Sequence, residues 1–384
     1  MMHAQKWLEA TYLIEIKTVE TAGDLKRYVD LPYAIYKDCP YWVPEMRAEE
    51  KAMLQPGKNP SLKLNETVSY LALKDGKPAG RVTAILNPKA NEIWDERAVR
   101  FWLLDFIEDF EVAQALFAAV EEWAREKDMT RVQGPLGFCD LDKQGMLVEG
   151  FDEQDLAITI YNHPYYPQYL ERMGYVKKYD WVEYQVMSPE KPNERVQRLA
   201  DRILKRNCFS ILKLNSIKEI YPYLDEAFEV LNEAFRVLPG VVPLTREQAD
   251  KYITEYIRFI STDYLSVVMD KNGKIAGYGV AVPSLGQAIR KSNGRLFPFG
   301  LLRLLRALRH NVSLDLYFIA VRPDMQNTGV SAVILNEFQK NAIKNGIKWA
   351  ETGPELEDNA RVQALWKSYE SRQHRRRRCY YKDL

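Results

Sequence analysis

The chain repeats itself at one spacing, and that limits what it can fold into. Gly80 and Gly277 stand 197 positions apart, as do Asn162 and Asn359, and Tyr184 and Tyr381. A shared offset marks two copies of one unit. Leu71 to Ile85 and Val267 to Val282 each read as a hairpin, with apolar flanks around an Asp-Gly or Asn-Gly turn. Both halves then run alike. A first strand (Tyr12 to Val19; Phe209 to Leu214) precedes one or two helices and the hairpin. A strand and a long helix follow (Glu111–Lys127; Gly329–Asn345), then a further strand (Arg131 to Gln133; Ile347 to Glu351), a short helix and closing strands. The pattern predicts an α/β fold with a mixed sheet, made twice. The Pro-rich stretch Met187 to Asn193 reads as the joint. Domains are therefore expected at 1–190 and 208–384. A linker helix over 191–207, spaced on Val196, Leu199, Ile203 and Leu204, is expected to bridge them.

The segment Leu314 to Ser331 reads as strand, turn and helix start. Its apolar run ends at Pro323, Gly329 sits in the turn, and Val330, Ile334, Phe338 and Ala342 recur at helical spacing. Free N–H groups at such a helix start favour a phosphate or pyrophosphate. The competing reading is that Gly329 only eases a tight turn.

The order Gln326-x-x-Gly329-x-Ser331 resembles the coenzyme A loop of the GCN5-related N-acetyltransferase (GNAT) superfamily, usually (Gln/Arg)-x-x-Gly-x-(Gly/Ala). Ser331 departs from it but is small. The resemblance implies two tandem GNAT-like acyl-CoA N-acyltransferase domains. It also implies a cofactor contact through Ile319, Val321, Gln326, Asn327, Thr328, Gly329, Val330 and Ser331, with acetyl-CoA or acyl-CoA as substrate and no metal. Asp38 to Pro44, Val148 to Asp152, Tyr161 to Tyr166 and Glu357 to Asn359 are also similar to a bacterial family of double GNAT-like proteins. At the matching place the first half has Leu104 to Val112, with no glycine and four carboxylates. Acids there would repel a pyrophosphate, so the first half reads as degenerate.

The second superfamily signature is Asn followed seven residues later by Tyr. Asn162 and Tyr169 keep it, whereas Asn359 is followed by Trp366. The resemblance gives that Tyr the task of protonating the leaving thiolate, which an indole cannot do. Tyr369, one turn on, is the expected substitute, and Asn359 and Trp366 are expected beside the cofactor. Glu351, at the end of the following strand, is the expected base, with Glu355 and Glu357 as alternatives and a solvated-loop role as the bland reading. Tyr161, Tyr165, Tyr166 and Tyr169 are expected to offer an acceptor aromatic surface. The histidines His3, His163, His310 and His374 are scattered, and no metal site is expected.

Net charge is +1, which speaks against bulk nucleic-acid binding. Cys39, Cys139, Cys208 and Cys379 form no close pairs and fit reduced thiols in the cytoplasm. Met1 to Thr18 lacks an apolar leader, and no run approaches the roughly 18 apolar residues of a span. From Lys271 to Leu314 there are eight Lys or Arg and no acid. Within it, Leu301, Leu304, Leu305 and Leu308 form a helical stripe opposite Arg303, Arg306 and His310. The stripe packs on the neighbouring domain, walls an acyl tunnel, or makes peripheral membrane contact through 295–310. Arg375 to Arg378 either meets coenzyme phosphates or is a solvated edge. Three functions remain open: N-acyl transfer to a small-molecule or lipid amine; binding without catalysis; and, least supported, a Fem-like ligase of the peptidoglycan-bridge type using aminoacyl-tRNA.

Overall fold

The computed structural model describes residues 14–192 and 194–384. Tyr12 and Leu13 of the expected first strand, His3, the leader reading over Met1–Leu13, and Asn193 lie outside the described residues. The first half carries β1 (Ile14–Thr18), β2 (Glu66–Lys74), β3 (Lys77–Leu86), β4 (Ala98–Phe106), β5 (Arg131–Gly134), β6 (Met146–Glu149) and β7 (Val176–Met187). The second carries β8 (Ser210–Ile211), β9 (Leu265–Met269), β10 (Ile275–Pro283), β11 (Ser313–Val321), β12 (Trp349–Thr352), β13 (Glu355–Leu356) and β14 (Ser371–Asp383). The long helices run Phe110–Glu126 and Val330–Lys344.

The hairpins are where the Asp-Gly and Asn-Gly pairs predict them. Asp75 and Gly76 both take positive φ, as a type I′ turn requires. The repeated glycine has a packing cause. A Cβ on Gly80 would lie 2.6 Å from Leu116 Cδ1, and one on Gly277 would lie 2.8 Å from Val330 Cγ1. In each half the long helix crosses its hairpin at that point, so only glycine fits.

All strands join one sheet, in the order β1-β2-β3-β4-β5-β14-β7-β12-β11-β10-β9-β8, with β13 on β7 and β6 on β14. The pairs β4·β5 and β11·β12 are parallel. The closing strands are exchanged: β14 of the second half lies against β5 of the first, and β7 of the first lies against β12 of the second. The linker in the sequence is therefore not a break in the sheet.

The basic run Arg375–Arg378 explains the exchange and corrects both sequence readings of it. In β14 successive side chains point to opposite faces. Arg375 and Arg377 are 1% and 0% exposed and share Glu183 of β7, the first at 2.5 Å. Arg377 also meets Asp155 at 3.0 Å. Arg376 and Arg378 turn to the other face and bind Asp180 at 3.2 and 2.8 Å. Burial alone would raise the Glu183 carboxyl, but the two guanidiniums hold it below the ordinary carboxylate range.

The helix Glu194–Asn207 buries Ala200 and packs Ile203 and Leu204 with the core around Val330–Lys344, while Leu199 is 48% exposed. That core also takes in Tyr184 and Val186 of β7. The insertion forms a helix over Gly300–Arg309 that buries Leu304 and half-buries Leu308. Leu301 and Leu305 of the same stripe are exposed.

Candidate functional site

Each half has a strand that runs beside a parallel neighbour and then leaves it. β11 pairs β12 only from Ser313 to Leu316. Just there a bulge interrupts its pairing with β10: Val280 faces Phe318 and Ala281 faces Leu316, leaving Tyr317 extra. Arg322 N–H bonds to Ala276 O of β10. By strand alternation the N–H groups of Ile319 and Val321 then point away from β10, into the opening. Both residues are half-buried. The first half has the same bulge, with Arg81 facing Asp105 and Thr83 facing Trp102.

The two openings differ in what lies in them. Phe106 pairs Gly80 as Val321 pairs Gly277, so the two positions correspond. The Tyr166 hydroxyl accepts from Phe106 N–H at 2.8 Å and reaches its carbonyl at 3.1 Å, and the Tyr165 hydroxyl donates to the same carbonyl at 2.7 Å. The first opening is thus filled from within. This corrects the acceptor-surface reading of the tyrosines. Tyr161 donates to Phe151 O, Tyr166 is fully buried, and Tyr169 stacks on Phe106; all four belong to the aromatic packing of the first half. At the offset of 197, Tyr165 and Tyr166 correspond to Val362 and Gln363. Gln363 spends its amide on Leu356 O and Glu357 O, and among the described residues no side-chain hydroxyl is hydrogen-bonded to the Val321 backbone.

The helix starts differ as well. Asp109 caps Phe110–Glu126, accepting from Glu111 N–H at 3.0 Å and Val112 N–H at 3.4 Å, and pairs with Lys74. Val330–Lys344 starts at Gly329, with φ 94° and no side-chain cap. That conformation favours glycine; Ala332 N–H bonds back to Gly329 O at 3.0 Å, and the N–H groups of Val330 and Ser331 before it have no helical acceptor. Gln326 and Asn327 are exposed, Thr328 and Ser331 half-exposed, and Val330 buried. Ile203 approaches Gly329 closely: a Cβ there would lie 2.5 Å from Ile203 Cδ1.

At the closed end of the β11–β12 opening the sheet has two contrasting faces. On the helix side an apolar cavity of about 60 Å³ is lined by Leu314, Leu316, Leu335, Phe338, Trp366 and Tyr369 among others. Asn359 caps the short helix Ala360–Trp366 by accepting from Val362 N–H, a structural role. Trp366 is 4% exposed, and its indole N–H donates to Glu355 Oε1 at 2.8 Å. The other Glu355 oxygen is buried without a partner. Burial pushes this carboxyl up to about 8, against the hydrogen bond from Trp366. Burial also raises the Tyr369 phenol.

The opposite face is polar. Asp315 and Glu351 are register partners on β11 and β12. Asp315 is fully buried, with neither oxygen in hydrogen-bond geometry. Burial pushes it up to about 7; Glu351 adds to the shift, and Ser284 and Arg375 oppose it. Glu351 accepts from Gln185 at 2.9 Å, and its second oxygen lies 2.7 Å from His374 Nε2 and 3.5 Å from Arg375 Nη2. His374 Nδ1 lies 3.4 Å from Glu153. Asp155 keeps one buried carboxylate oxygen and Asp315 both without a hydrogen-bond partner, while Glu351, His374 and Arg375 face one another in the ion pairs just given. Unpaired carboxylate oxygens are scarce in native interiors, and those of Asp315 sit beside Glu351 on this face. Sequence reasoning found Glu351 but passed over Asp315 and His374. The available signal was a lone acid inside the apolar strand Leu314–Val321. Glu357, the other alternative base, is taken up by Lys177 and Arg376. Among the described residues no group of three or more His, Cys, Asp or Glu is arranged to hold a metal.

The fold has solved counterparts. A tandem GNAT protein from the clavulanic acid biosynthesis pathway superposes with a TM-score of 0.57 at 12% identity, covering 97% of this chain and 98% of that one. The chain has the tandem GNAT fold. A GCN5-related N-acetyltransferase from Sphaerobacter thermophilus superposes on this chain with a TM-score of 0.52 at 11% identity, covering 96% of this chain and 95% of that one. In sequence, the chain is 27% identical over 314 residues to Protein YghO of Escherichia coli K12, spanning 80% of this chain and 79% of that protein. It is 26% identical over 297 residues to a bacterial ceramide synthase of Caulobacter vibrioides, spanning 77% of each. No family model matches the sequence.

Proposed function

We propose that this protein is an acyl-CoA-dependent N-acyltransferase that transfers an acyl group from coenzyme A to a primary amine, with a lipid or other hydrophobic amine as acceptor. The contrast between the halves carries the reading. The β4 edge is filled by Tyr165 and Tyr166 and its helix start by Asp109, whereas Val362 and Gln363 stand at the matching places of the second half and its helix starts uncapped at Gly329. Coenzyme pyrophosphate fits the turn Gln326–Ser331, and the pantetheine arm fits beside Ile319 and Val321. The solved structures of this fold that are named as N-acetyltransferases support the reaction class.

The acceptor amine would come from the polar face. Glu351, with His374 beside it, takes the ammonium proton. The amine nitrogen bonds to the thioester carbonyl carbon, and β11 N–H groups past the bulge hold the oxyanion. The C–S bond then breaks, and the thiolate takes a proton. Trp366 has none to give. Glu355, raised to about 8, is matched to a thiol of about 8.5. Tyr369, raised above its ordinary value, is the second donor.

A lipid acceptor is supported by the relative named a bacterial ceramide synthase, since a ceramide is the amide of a long-chain amino alcohol. Peripheral membrane contact through 295–310 would suit such an acceptor. The alternative, binding without catalysis, is favoured by Trp366 at the acid position and by Ile203 against Gly329.

The test is purified protein with acyl-CoAs of graded chain length and long-chain primary amines, following free thiol and amide mass. Thiol release coupled to amide formation is expected, and Gly329→Val should abolish coenzyme A binding in a folded protein. Recovery of binding in Gly329→Val/Ile203→Ala would mean that the glycine serves only Ile203, and would overturn the cofactor site. Binding without thiol release for any amine would leave the non-catalytic reading.

A further inference from the structure

The insertion between β10 and β11 ends in a surface that the fold does not cover. Leu304 is buried, and Leu296, Ala307 and Leu308 are packed against the same core as Leu285 and Ile289. This fixes one side of the helix Gly300–Arg309. The other side and the preceding turn expose Phe297 at 77%, Phe299 at 62%, Leu301 at 42%, Leu302 at 63% and Leu305 at 44%. Two exposed phenylalanines and three leucines in nine consecutive residues make a contiguous apolar patch, which soluble surfaces seldom carry without a partner.

Charge says which partner. Lys291, Arg295, Arg306 and Arg309 are exposed around the patch. The stretch from Lys271 to Leu314 contains no Asp or Glu. Gly294 O accepts from Arg47 N–H, so the first half abuts the insertion there, but the acids it brings are occupied. Glu45 pairs with Lys143 at 2.8 Å and Glu49 with Arg258 at 3.2 Å. An apolar tip ringed by unneutralised cations matches the headgroup–acyl boundary of an anionic bilayer. A protein partner would need complementary acids around an apolar pocket, and this chain has a net charge of only +1 to contribute to steering.

We infer that the helix Gly300–Arg309 and the turn before it dock on an anionic lipid surface, with Phe297, Phe299 and Leu302 entering the interface and Lys291, Arg306 and Arg309 meeting the headgroups. The docked helix packs on the same core as Tyr317 and Phe318 of β11. The inference stands on the surface alone and does not need acyl transfer to occur.

Co-sedimentation of the full chain with phosphatidylglycerol/phosphatidylcholine vesicles and with pure phosphatidylcholine vesicles tests it. Binding is expected to the anionic vesicles, to weaken with salt, and to fall about 100-fold in Lys291→Gln/Arg306→Gln/Arg309→Gln, at about tenfold or less per cation. Phe297→Ser/Phe299→Ser/Leu302→Ser should abolish it. All six side chains are exposed, so the variants should unfold like the parent and keep its coenzyme A affinity. That readout separates failure of docking from failure of the acyltransferase reading. No binding to anionic vesicles at low salt, or equal binding to both vesicle types, would overturn the inference. A concentration-dependent dimer lost in the Phe/Leu variant, without vesicle binding, would overturn it in favour of self-association.

Discussion

Replacing Asp315 by Asn should make the protein more stable at alkaline pH and change it little at acid pH. Asp315 is fully buried, its carboxylate oxygens lack hydrogen-bond partners, and Glu351 stands beside it. Its carboxyl is raised from 3.8 to about 7. The folded chain therefore holds this proton where the unfolded chain has lost it. The stabilisation is complete below the unfolded value and is lost as pH rises through about 7. Linkage over a shift of that size gives a loss of roughly 2–3 kcal/mol between about pH 5 and about pH 8. Asn keeps the volume and has no proton to lose. Whatever constant cost the amide brings, the difference between variant and parent should shift by that amount toward the variant over the same pH range. Urea unfolding of both proteins at several pH values across this window measures it. A parent–variant difference that stays flat from acid to alkaline pH would refute the reasoning, since it would mean that Asp315 ionises freely in the fold.

The proton donor can be separated by two substitutions. Glu355→Gln should lower turnover about 10²-fold or more with little effect on coenzyme A affinity, and Tyr369→Phe should cost less; pre-steady-state thiol release gives both, and the reverse order would return the role to Tyr369. Glu183→Gln should destabilise by about 3–5 kcal/mol, because it leaves Arg375 and Arg377 buried without a carboxylate. Arg376→Gln, on the half-exposed side of the same strand, should cost far less, and equal costs in urea unfolding would argue against the buried network as the clasp of the exchanged strands.

Much of the local structure was legible because it depends on neighbours in the chain. The Asp-Gly turn positions, the period of Val330, Ile334, Phe338 and Ala342, and the glycine before that helix are all set by backbone geometry and hydrophobic spacing. The long helices start and end within a residue of the sequence reading. The single offset of 197 was enough to announce two copies of one unit, and hence two openings of which only one keeps the glycine turn.

What the sequence could not decide depends on which strands become neighbours. Arg375 to Arg378 is the same basic run whether it meets phosphates, water or Glu183; only the exchange of β7 and β14 buries every second arginine on a carboxylate nearly two hundred positions away. Tyr165 and Tyr166 look like ligand surface until the fold brings their hydroxyls onto Phe106. Asp315, Glu351 and His374 lie on three strands, and no spacing along the chain predicts that they share one face. Spacing along one element is a property of the chain, so the sequence determined the turns, the helices and the repeat. Burial, partner choice and proton affinity are properties of the assembled sheet, because they depend on distance through space and on exclusion of water, and only the tertiary structure decided them.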